Sequence, residues 1–476
     1  MNGPLRKVSI FVAVMMAALL INTTWISVGR TEALNEHPLN RRVRDAEFAQ
    51  YRGAILVGND PIAVSTETES NRFPWRRSYP DGRLWAPVTG WYAYEYGRSG
   101  LEAYYAPELS GTAASMSVTR TLDVLSGRQS QGASISTTLN PAAQQAALTA
   151  LGKKRGAVVA MNYETGEILA LVSTPTFDPE RLSSLDLSDV RESWDELLND
   201  PDEPLKNRAT REIYPPGSTF KLVVAAAALK DGKLPGTELE APTSFRLPNS
   251  SRSIGNSTDC GGTTVTLEQA LKTSCNTAFA SLGLELGQDK IRDMAESFGF
   301  NQEQTIDIAA ATSGYPTEMD EAQTALSAIG QFDVTASPLQ IVQVAAAIAN
   351  DGVAMKPYLV STVTNRDLTV VSSQQPERLS QPLSRTNAQL LQQMMETVVD
   401  DGTGRPARID GLTVGGKTGT AQSAPDRPPY AWFVGYAKEP KVAVVAFVEN
   451  ADVARDDISG GRLAAPIFKS VVEALR

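Results

Sequence analysis

A stretch near the middle of the chain, residues 214–229, reads YPPGSTFKLVVAAAAL. Its Pro-Pro-Gly start ends any preceding element, and the residues that follow are apolar on every side, which is typical of a buried helix. Lys221 is the exception, because a buried lysine needs a partner or a lowered pKa. Ser218 lies three residues earlier, where a helix places its hydroxyl within reach of the Lys221 amine. The stretch predicts a serine nucleophile activated by lysine, with a serine N-cap and an incidental lysine as the alternative.

The scarcity of histidine makes lysine the expected base. The chain has 476 residues and one histidine, His37, which lies soon after an apolar N-terminal segment and is badly placed for a Ser-His-Asp triad. With one histidine and two cysteines, neither a zinc peptidase site nor another metal site is expected, and the sequence indicates no cofactor. The net charge of −10 argues against a nucleic-acid-binding protein.

A second serine motif, Ser274-Cys275-Asn276, lies on or just after a helix that the capping box at Thr266 predicts. Ser274 could relay a proton and Asn276 could bind a substrate amide, while a polar helix end is the alternative. The two cysteines of the chain, Cys260 and Cys275, are a candidate disulfide in an oxidising exterior, with two buried free thiols as the alternative.

A third motif, Lys417-Thr418-Gly419-Thr420, lies in a predicted strand. Glycines at 415, 416 and 419 remove side chains, so we expect a ligand's backbone to approach the strand edge closely. Thr418 and Thr420 are two residues apart and therefore project from the same face of the strand. A glycine-rich bulge is the alternative interpretation.

The N-terminal segment predicts a membrane anchor. Val8–Val28 is almost entirely apolar and long enough to cross a bilayer. Arg6 and Lys7 precede it, so the short N-terminus should stay in the cytoplasm and the remainder should lie outside. A cleaved signal peptide is the alternative, but no small-x-small cleavage site follows the apolar core.

Hydrophobic patterning outside the motifs predicts one antiparallel sheet with a helical lobe inserted into it. The strands are expected at residues 156–161, 167–172, 412–422, 431–436 and 442–448. A closing helix is expected over 463–476. Residues 29–150 are rich in tryptophan and tyrosine, show no catalytic constellation, and are interpreted as a strand-rich pedestal.

The motifs S-x-x-K, S-x-N and K-T-G appear in the order that is the signature of penicillin-binding proteins and serine β-lactamases. The chain resembles the class B penicillin-binding proteins, the monofunctional peptidoglycan transpeptidases, and within them the penicillin-binding protein A group of actinobacteria. The likeness covers nearly the whole chain. The segments that carry it are Arg52–Ile55, Gly100–Glu102, Tyr214–Lys221, Ser337–Gln340 and Gly416–Thr420.

The resemblance implies an α+β fold with four parts. Residues 1–7 would be cytoplasmic, residues 8–28 a single transmembrane helix, and residues 29–150 a non-catalytic pedestal domain. Residues 151–476 would form an extracytoplasmic transpeptidase domain like that of the serine β-lactamases, with a five-stranded antiparallel sheet and a helical lobe.

The resemblance also implies a role for each motif residue. Ser218 would attack the carbonyl carbon of the penultimate D-Ala in a peptidoglycan stem peptide that ends in D-Ala-D-Ala. Lys221 would take the serine proton, and Lys417 would be a second cation that lowers the pKa of Lys221. Ser274 would relay a proton to the departing D-Ala, and Asn276 would hold a substrate amide.

The strand motif is expected to bind the terminal carboxylate of the substrate. Thr418 and Thr420, on either side of Gly419, would bind this carboxylate. The backbone N–H groups of Ser218 and Thr420 would form an oxyanion hole. β-Lactams would acylate Ser218 as mimics of the substrate.

Other functions remain open to a chain with these motifs. A D,D-carboxypeptidase or β-lactamase would use water as the acceptor, although soluble β-lactamases lack a pedestal and an anchor. A β-lactam-binding sensor would be expected to carry more membrane spans, and a non-catalytic scaffold would not need intact motifs. A glycosyltransferase domain would not fit in the short pedestal, but the family implies a possible SEDS-type glycosyltransferase partner in the cytoplasmic membrane.

Overall fold

The computed structural model describes residues 2–30, 34, 40–117, 121, 125–127, 131–304, 306–423 and 427–476. His37 lies outside the described residues. The chain forms two compact units, which are Met1–Tyr51 with Thr66–Arg76, and Arg52–Ser65 with Arg77–Arg476.

Helices and strands occur largely in runs along the described chain. The α-helices are α1 (Asn2–Thr24), α2 (Arg41–Phe48), α3 (Gly82–Thr89), α4 (Gly100–Tyr104), α5 (Ala106–Leu109), α6 (Pro141–Leu151), α7 (Leu187–Asn199), α8 (Lys221–Lys230), α9 (Leu267–Thr273), α10 (Asn276–Ser297), α11 (Glu321–Ser327), α12 (Pro338–Ala349), α13 (Arg385–Asp401) and α14 (Ala465–Ala474). The β-strands are β1 (Ile55–Val57), β2 (Asp60–Glu67), β3 (Trp75–Ser78), β4 (Tyr92–Ala93), β5 (Gly97–Arg98), β6 (Ser134–Thr137), β7 (Arg155–Asn162), β8 (Ile168–Thr174), β9 (Glu238–Glu240), β10 (Ser244–Arg246), β11 (Ser253–Gly255), β12 (Thr264–Thr266), β13 (Ala354–Met355), β14 (Val360–Thr364), β15 (Val370–Ser373), β16 (Arg378–Ser380), β17 (Val414–Ala421), β18 (Tyr430–Ala437) and β19 (Val442–Asn450).

The first unit contains the apolar N-terminal helix. Gly3–Gly29 form a 27-residue helix with a mean hydropathy of 1.9, which is long and apolar enough to cross a membrane. Two of its hydroxyl groups are paired within the helix, since Ser9 Oγ donates to Leu5 O over 2.9 Å and Thr23 Oγ1 donates to Leu19 O over 2.7 Å. Because these hydroxyls are hydrogen-bonded, placing them in an apolar surrounding costs less free energy than placing unpaired hydroxyls there.

A six-stranded sheet forms the centre of the pedestal, in the order β15-β14-β6-β1-β2-β3. β1 pairs in parallel with β6, placing Ile55 opposite Ile135, and antiparallel with β2. β14 and β15 come from far along the chain and extend the sheet beyond β6. Residues 360–373, which the sequence assigned to the catalytic domain, thus contribute to the pedestal sheet.

A buried ion cluster joins two of the segments that carry the family resemblance. The Glu102 carboxylate accepts from Arg52 Nε and from Arg77 Nε, each over 2.5 Å, and all three side chains are buried. Burial by itself would raise the pKa of Glu102, but the two guanidinium groups hold that pKa below its ordinary value. The cluster ties the start of β1 to helix α4 and strand β3.

The catalytic sheet has five strands in the order β17-β18-β19-β7-β8, and every neighbouring pair is antiparallel. The chain enters it through the β7–β8 hairpin and returns to it only after the helical lobe. The predicted single sheet with an inserted helical lobe is therefore confirmed. β17 lies at the edge, so one side of its backbone has no partner strand within this sheet.

Helices cover both faces of the catalytic sheet. On one face, α6 and α14 pack through Ala147, Leu151 and Phe468 against Val158 and Val444. On the other face, the almost fully buried α12 packs against β7, β18 and β19. Helix α6 falls in the range expected for the pedestal, yet its apolar side belongs to the core of the catalytic sheet.

Candidate active site

Ser218 lies in a tight turn rather than in the α-helix that the sequence predicted to begin there. Gly217–Thr219 form a 3-10 turn, and α8 begins at Lys221. Gly217 has a φ of 53°, a left-handed conformation that glycine adopts without strain. The prediction of a helix N-terminus was thus wrong by three residues, because the glycine diverts the backbone before the helix can start.

Two hydrogen bonds hold the Gly217–Thr219 turn against the sheet and the lobe, and a third lies within the turn. The Gly217 N–H donates to Gly330 O over 3.0 Å, and Trp432 Nε1 donates to Pro215 O over 3.2 Å. Thr219 Oγ1 donates to Pro216 O over 2.8 Å within the turn. The Ser218 backbone is therefore fixed by elements on both sides of it.

Gly419 allows the turn to lie directly on β17. A Cβ on Gly419 would be 2.9 Å from Thr219 Cγ2 and 3.2 Å from Pro216 O. Similarly, a Cβ on Gly415 would meet the Tyr436 ring and a Cβ on Gly416 would meet the Phe433 ring, each at 2.5 Å. Protein atoms therefore fill the side-chain space that each of these three glycines leaves, and the expected approach of a ligand to the free edge of β17 stays a prediction.

Lys221 is fully buried and its amine faces the second serine motif. Lys221 Nζ donates to Ser274 O and to Asn276 Oδ1, each over 2.7 Å, and to Ser274 Oγ over 3.3 Å. Within the described residues no hydrogen bond joins Lys221 Nζ to Ser218 Oγ. Burial lowers the pKa of Lys221 well below its ordinary value, and the charge of Lys417 lowers it further.

Ser274 is held between two helices in a left-handed conformation, with φ 60° and ψ 38°. Few residues other than glycine adopt this conformation, which turns the chain sharply from α9 into α10. Its hydroxyl oxygen accepts from Lys417 Nζ over 2.8 Å and from Lys221 Nζ over 3.3 Å. Two amines occupy the acceptor positions of this hydroxyl, so its own proton is available to a third group.

Lys417 is the second fully buried amine of the site. Its Nζ donates to Ser274 Oγ and to Thr418 O, each over 2.8 Å. Burial lowers the pKa of Lys417 to about 7. Of the neighbouring residues in β17, Thr418 is nearly buried and Thr420 is exposed.

Asn256, which the sequence did not single out, anchors the backbone at the start of α10, where Asn276 lies. Asn256 Oδ1 accepts from the backbone N–H of Asn276 over 2.8 Å and from that of Thr277 over 3.0 Å, which caps the first turn of α10. Asn276 Nδ2 donates to Gly255 O over 3.1 Å. With its Oδ1 on Lys221 and its Nδ2 on Gly255, the orientation of the Asn276 amide is set. No local pattern relates Asn256 to a motif twenty positions later.

Cys260 and Cys275 form a disulfide, with their Cα atoms 5.4 Å apart. Cys275 is the middle residue of the second motif, so the bond ties that motif to the preceding loop. Thr258 Oγ1 adds a hydrogen bond of 2.6 Å to Thr273 O. The loop that carries Asn256 is therefore attached to the end of α9 and to the start of α10.

Two family descriptions match the chain. Residues 156–473 match the penicillin-binding protein transpeptidase domain, and residues 52–135 match the penicillin-binding protein A dimerisation domain. The peptidoglycan D,D-transpeptidase PbpA of Mycolicibacterium smegmatis is 40% identical over 100% of this chain and 99% of its own length. PbpA of Mycobacterium tuberculosis is 38% identical with the same coverage of both proteins.

Solved structures agree with these matches. Penicillin-binding protein A from M. tuberculosis, in its ceftriaxone acyl-enzyme complex, is similar with a TM-score of 0.87 and 37% identity over 90% of this chain and 99% of that chain. Its penicillin G acyl-enzyme complex has a TM-score of 0.84 at 37% identity, over 89% of this chain and 99% of that chain. The resemblance to the penicillin-binding protein A group is confirmed. Since the transpeptidase domain spans most of the chain and a relative at 40% identity aligns along all of it, the chain belongs to the class B penicillin-binding proteins, a family of serine acyltransferases.

Proposed function

We propose that the chain is a peptidoglycan D,D-transpeptidase that links stem peptides through an acyl-enzyme on Ser218. One observation carries the proposal. Two buried amines, those of Lys221 and Lys417, both contact the hydroxyl of Ser274, and Lys221 follows Ser218 by three residues. This arrangement supplies a base, a proton relay and a cation within one buried network. The named relatives are D,D-transpeptidases, and their β-lactam acyl-enzymes support covalent chemistry at the same site.

In the acylation step, Ser218 Oγ attacks the carbonyl carbon of the penultimate D-Ala. Lys221 takes the hydroxyl proton, which its lowered pKa permits because a larger fraction of the amine is neutral. The bond from Oγ to carbon forms, and the carbon–nitrogen bond to the terminal D-Ala breaks. Ser274 gives its proton to the departing amine and is reprotonated by Lys221, which holds the proton from Ser218 and contacts the Ser274 oxygen, so Lys221 is neutral again for the next step.

Substrate binding uses the edge of β17 and the start of α10. Asn276 Nδ2 donates one of its two hydrogens to Gly255 O, and the second would hold a substrate amide. Thr418 and Thr420, next to the Lys417 cation, would bind the terminal carboxylate. The backbone N–H groups of Ser218 and Thr420 would stabilise the oxyanion, a contribution of about 10²–10³ in rate for each donor.

In the second half of the reaction, the amine of a neighbouring stem peptide attacks the acyl-enzyme carbon. Lys221 accepts the amine proton, the bond from carbon to Ser218 Oγ breaks, and the serine regains a proton. Water in place of the amine would make the chain a D,D-carboxypeptidase. β-Lactams would stop at the acyl-enzyme because they retain a leaving group that blocks the acceptor.

The apolar helix Gly3–Gly29 would hold the protein in the cytoplasmic membrane as a single-pass anchor. Arg6 and Lys7 favour a cytoplasmic N-terminus and therefore an extracytoplasmic catalytic domain. A SEDS-type glycosyltransferase is the partner that the family implies in the membrane. An anchored transpeptidase next to such an enzyme would act on newly made glycan strands.

The test uses the full chain in detergent micelles with a thioester analogue of a stem peptide ending in D-Ala-D-Ala. We expect release of the leaving group and, when a D-amino acid is added, transfer of the acyl group to it. A Ser218→Ala variant should give neither reaction and should not bind labelled penicillin covalently. Hydrolysis without transfer would replace the proposal by a carboxypeptidase, and labelling of Ser218→Ala would overturn the assignment of the nucleophile.

A further inference from the structure

The short loop after α13, residues 402–404, contacts the end of helix α9 next to Ser274 and also strand β17, which carries Lys417. The Thr403 N–H donates to Lys272 O over 3.3 Å, at the end of α9 just before Ser274. A Cβ on Gly402 would be 2.7 Å from the same carbonyl, so the loop lies directly against that helix end. The loop therefore connects the helix that presents Ser274 with strand β17.

On the strand side, the Thr403 hydroxyl lies against the Thr418 hydroxyl. Their Oγ1 atoms are 2.8 Å apart, and either oxygen can be the donor. Thr418 is only 8% exposed. Gly461 closes the other side, since a Cβ there would be 3.0 Å from Thr403 O and 3.8 Å from Thr418 Cγ2. Thr403 is thus the side-chain partner that the structure gives to the Thr418 hydroxyl among the described residues.

A carboxylate bound at Thr418 would decide the direction of this hydrogen bond. A carboxylate only accepts hydrogen bonds, so the Thr418 hydroxyl must donate its one proton to the carboxylate. The Thr418 oxygen can then accept the proton of Thr403. The resulting chain runs from Thr403 through Thr418 to the carboxylate, and each bond in such a chain strengthens the next.

We propose that Thr403 is a positioning residue for substrate carboxylate recognition, because its hydroxyl holds the Thr418 hydroxyl with the proton directed into the cleft. The inference rests on the proposed function, in which Thr418 binds the terminal carboxylate. Thr403 does not touch the substrate. It acts through Thr418, and it couples that contact to the helix end that presents Ser274.

The test compares acylation of the full chain in detergent by benzylpenicillin and by its methyl ester, which lacks the negative charge. Thr403→Val removes the hydroxyl and keeps the shape, and we expect it to slow acylation by benzylpenicillin about tenfold while changing the ester rate less than about twofold. Thr403→Ser should restore most of the preference for the carboxylate. In a Thr418→Val background, Thr403→Val should have little further effect, since the two residues act as one chain.

Equal slowing of both compounds by Thr403→Val would identify a merely structural loop and overturn the proposal, as would unchanged rates for both. Additive losses in the double variant would overturn it too, because they would place Thr403 outside the chain through Thr418. Melting temperatures of each variant separate these outcomes from misfolding. Failure of the wild-type protein to form an acyl-enzyme on Ser218 would instead overturn the proposed function itself.

Discussion

The Lys417 amine donates to the Ser274 hydroxyl over 2.8 Å, and that hydroxyl oxygen also lies 3.3 Å from the Lys221 amine. One serine therefore joins two buried lysines that have no direct hydrogen bond to each other among the described residues. A proton can pass between the base and the leaving group only through this hydroxyl or through water.

Removal of the bridging hydroxyl should affect the chemistry more than the fold. We expect Ser274→Ala to slow acylation by labelled penicillin by about 10²–10⁴, the range for loss of a positioned proton donor. Thr258→Val is the matched control, because its hydroxyl donates to Thr273 O in the neighbouring loop. Stopped-flow acylation measures both variants. A loss of less than threefold in Ser274→Ala would contradict a relay through this residue.

The preference for an anionic ligand should fall as the pH rises through about 7. Burial lowers the pKa of Lys417 to about 7, so its cation is present below that pH and is lost above it. The ratio of the acylation rate with benzylpenicillin to that with its methyl ester should therefore decline between about pH 6 and about pH 9, a range that includes this midpoint. A ratio that stays constant across this range would show that the charge of Lys417 does not attract the carboxylate.

Asn256 should matter both for stability and for the site. Asn256→Ala removes the acceptor for two backbone N–H groups of α10, so we expect a loss of about 1 kcal/mol in the free energy of unfolding. The same variant should slow acylation, since the orientation of Asn276 is released. Asn256→Asp keeps the acceptor and suits a helix N-terminus, so its stability should stay near that of the wild type. Equal destabilisation by both substitutions would refute a capping role.

The disulfide should stabilise the loop that precedes the second motif. Cys260 and Cys275 are separated by 15 residues, a loop length for which closure contributes about 3 kcal/mol in the chain-entropy description. Replacing both cysteines by alanine should lower the unfolding free energy by about that amount and make stability insensitive to reductant. Mass spectrometry of the non-reduced wild-type protein provides the direct check. Two free thiols in that measurement would show that the bond does not form.

Substitutions in the buried ion cluster of Arg52, Arg77 and Glu102 should strongly lower the free energy of unfolding. Glu102→Gln leaves Arg52 and Arg77 without their carboxylate, and breaking a buried pair in this way costs about 3–5 kcal/mol. The matched control is Glu95→Gln, which removes the partner of the exposed Arg191 and should cost less than about 1 kcal/mol. Denaturant titration measures both. Similar losses in the two variants would mean that burial does not determine the strength of the pairing.

The sequence predicted the catalytic sheet and the identity of the motif residues because both depend on local patterns. Alternating apolar runs indicated β7, β8, β17, β18 and β19, and Lys221 stood out as the charged residue of an apolar helix. The packing role of the β17 glycines was not predicted, since it depends on which rings and turns face them. Gly419 makes room for Thr219, a contact between residues two hundred positions apart.

The residues that contact and position the motif residues could not be predicted from the sequence, for a similar reason. Asn256 and Thr403 occupy unremarkable loops, and only the folded chain brings them to Asn276 and Thr418. The left-handed conformation of Ser274 also has no signature in the sequence, because serine rarely adopts it. The sequence thus singled out residues where their chemistry is unusual, and did not single out ordinary polar residues that position others.

The two strands that complete the pedestal sheet constrain how the protein can be made. Ser361 Oγ donates to Ser136 O across 225 residues of sequence. The edge of β6 that pairs with β14 therefore has no partner strand until most of the chain has been synthesised. An uncovered strand edge of this kind invites pairing with other chains. A truncated chain that stops before β14 should therefore tend to aggregate, and a chain that is still being synthesised would depend on a chaperone or on rapid completion to keep this edge unpaired until β14 forms.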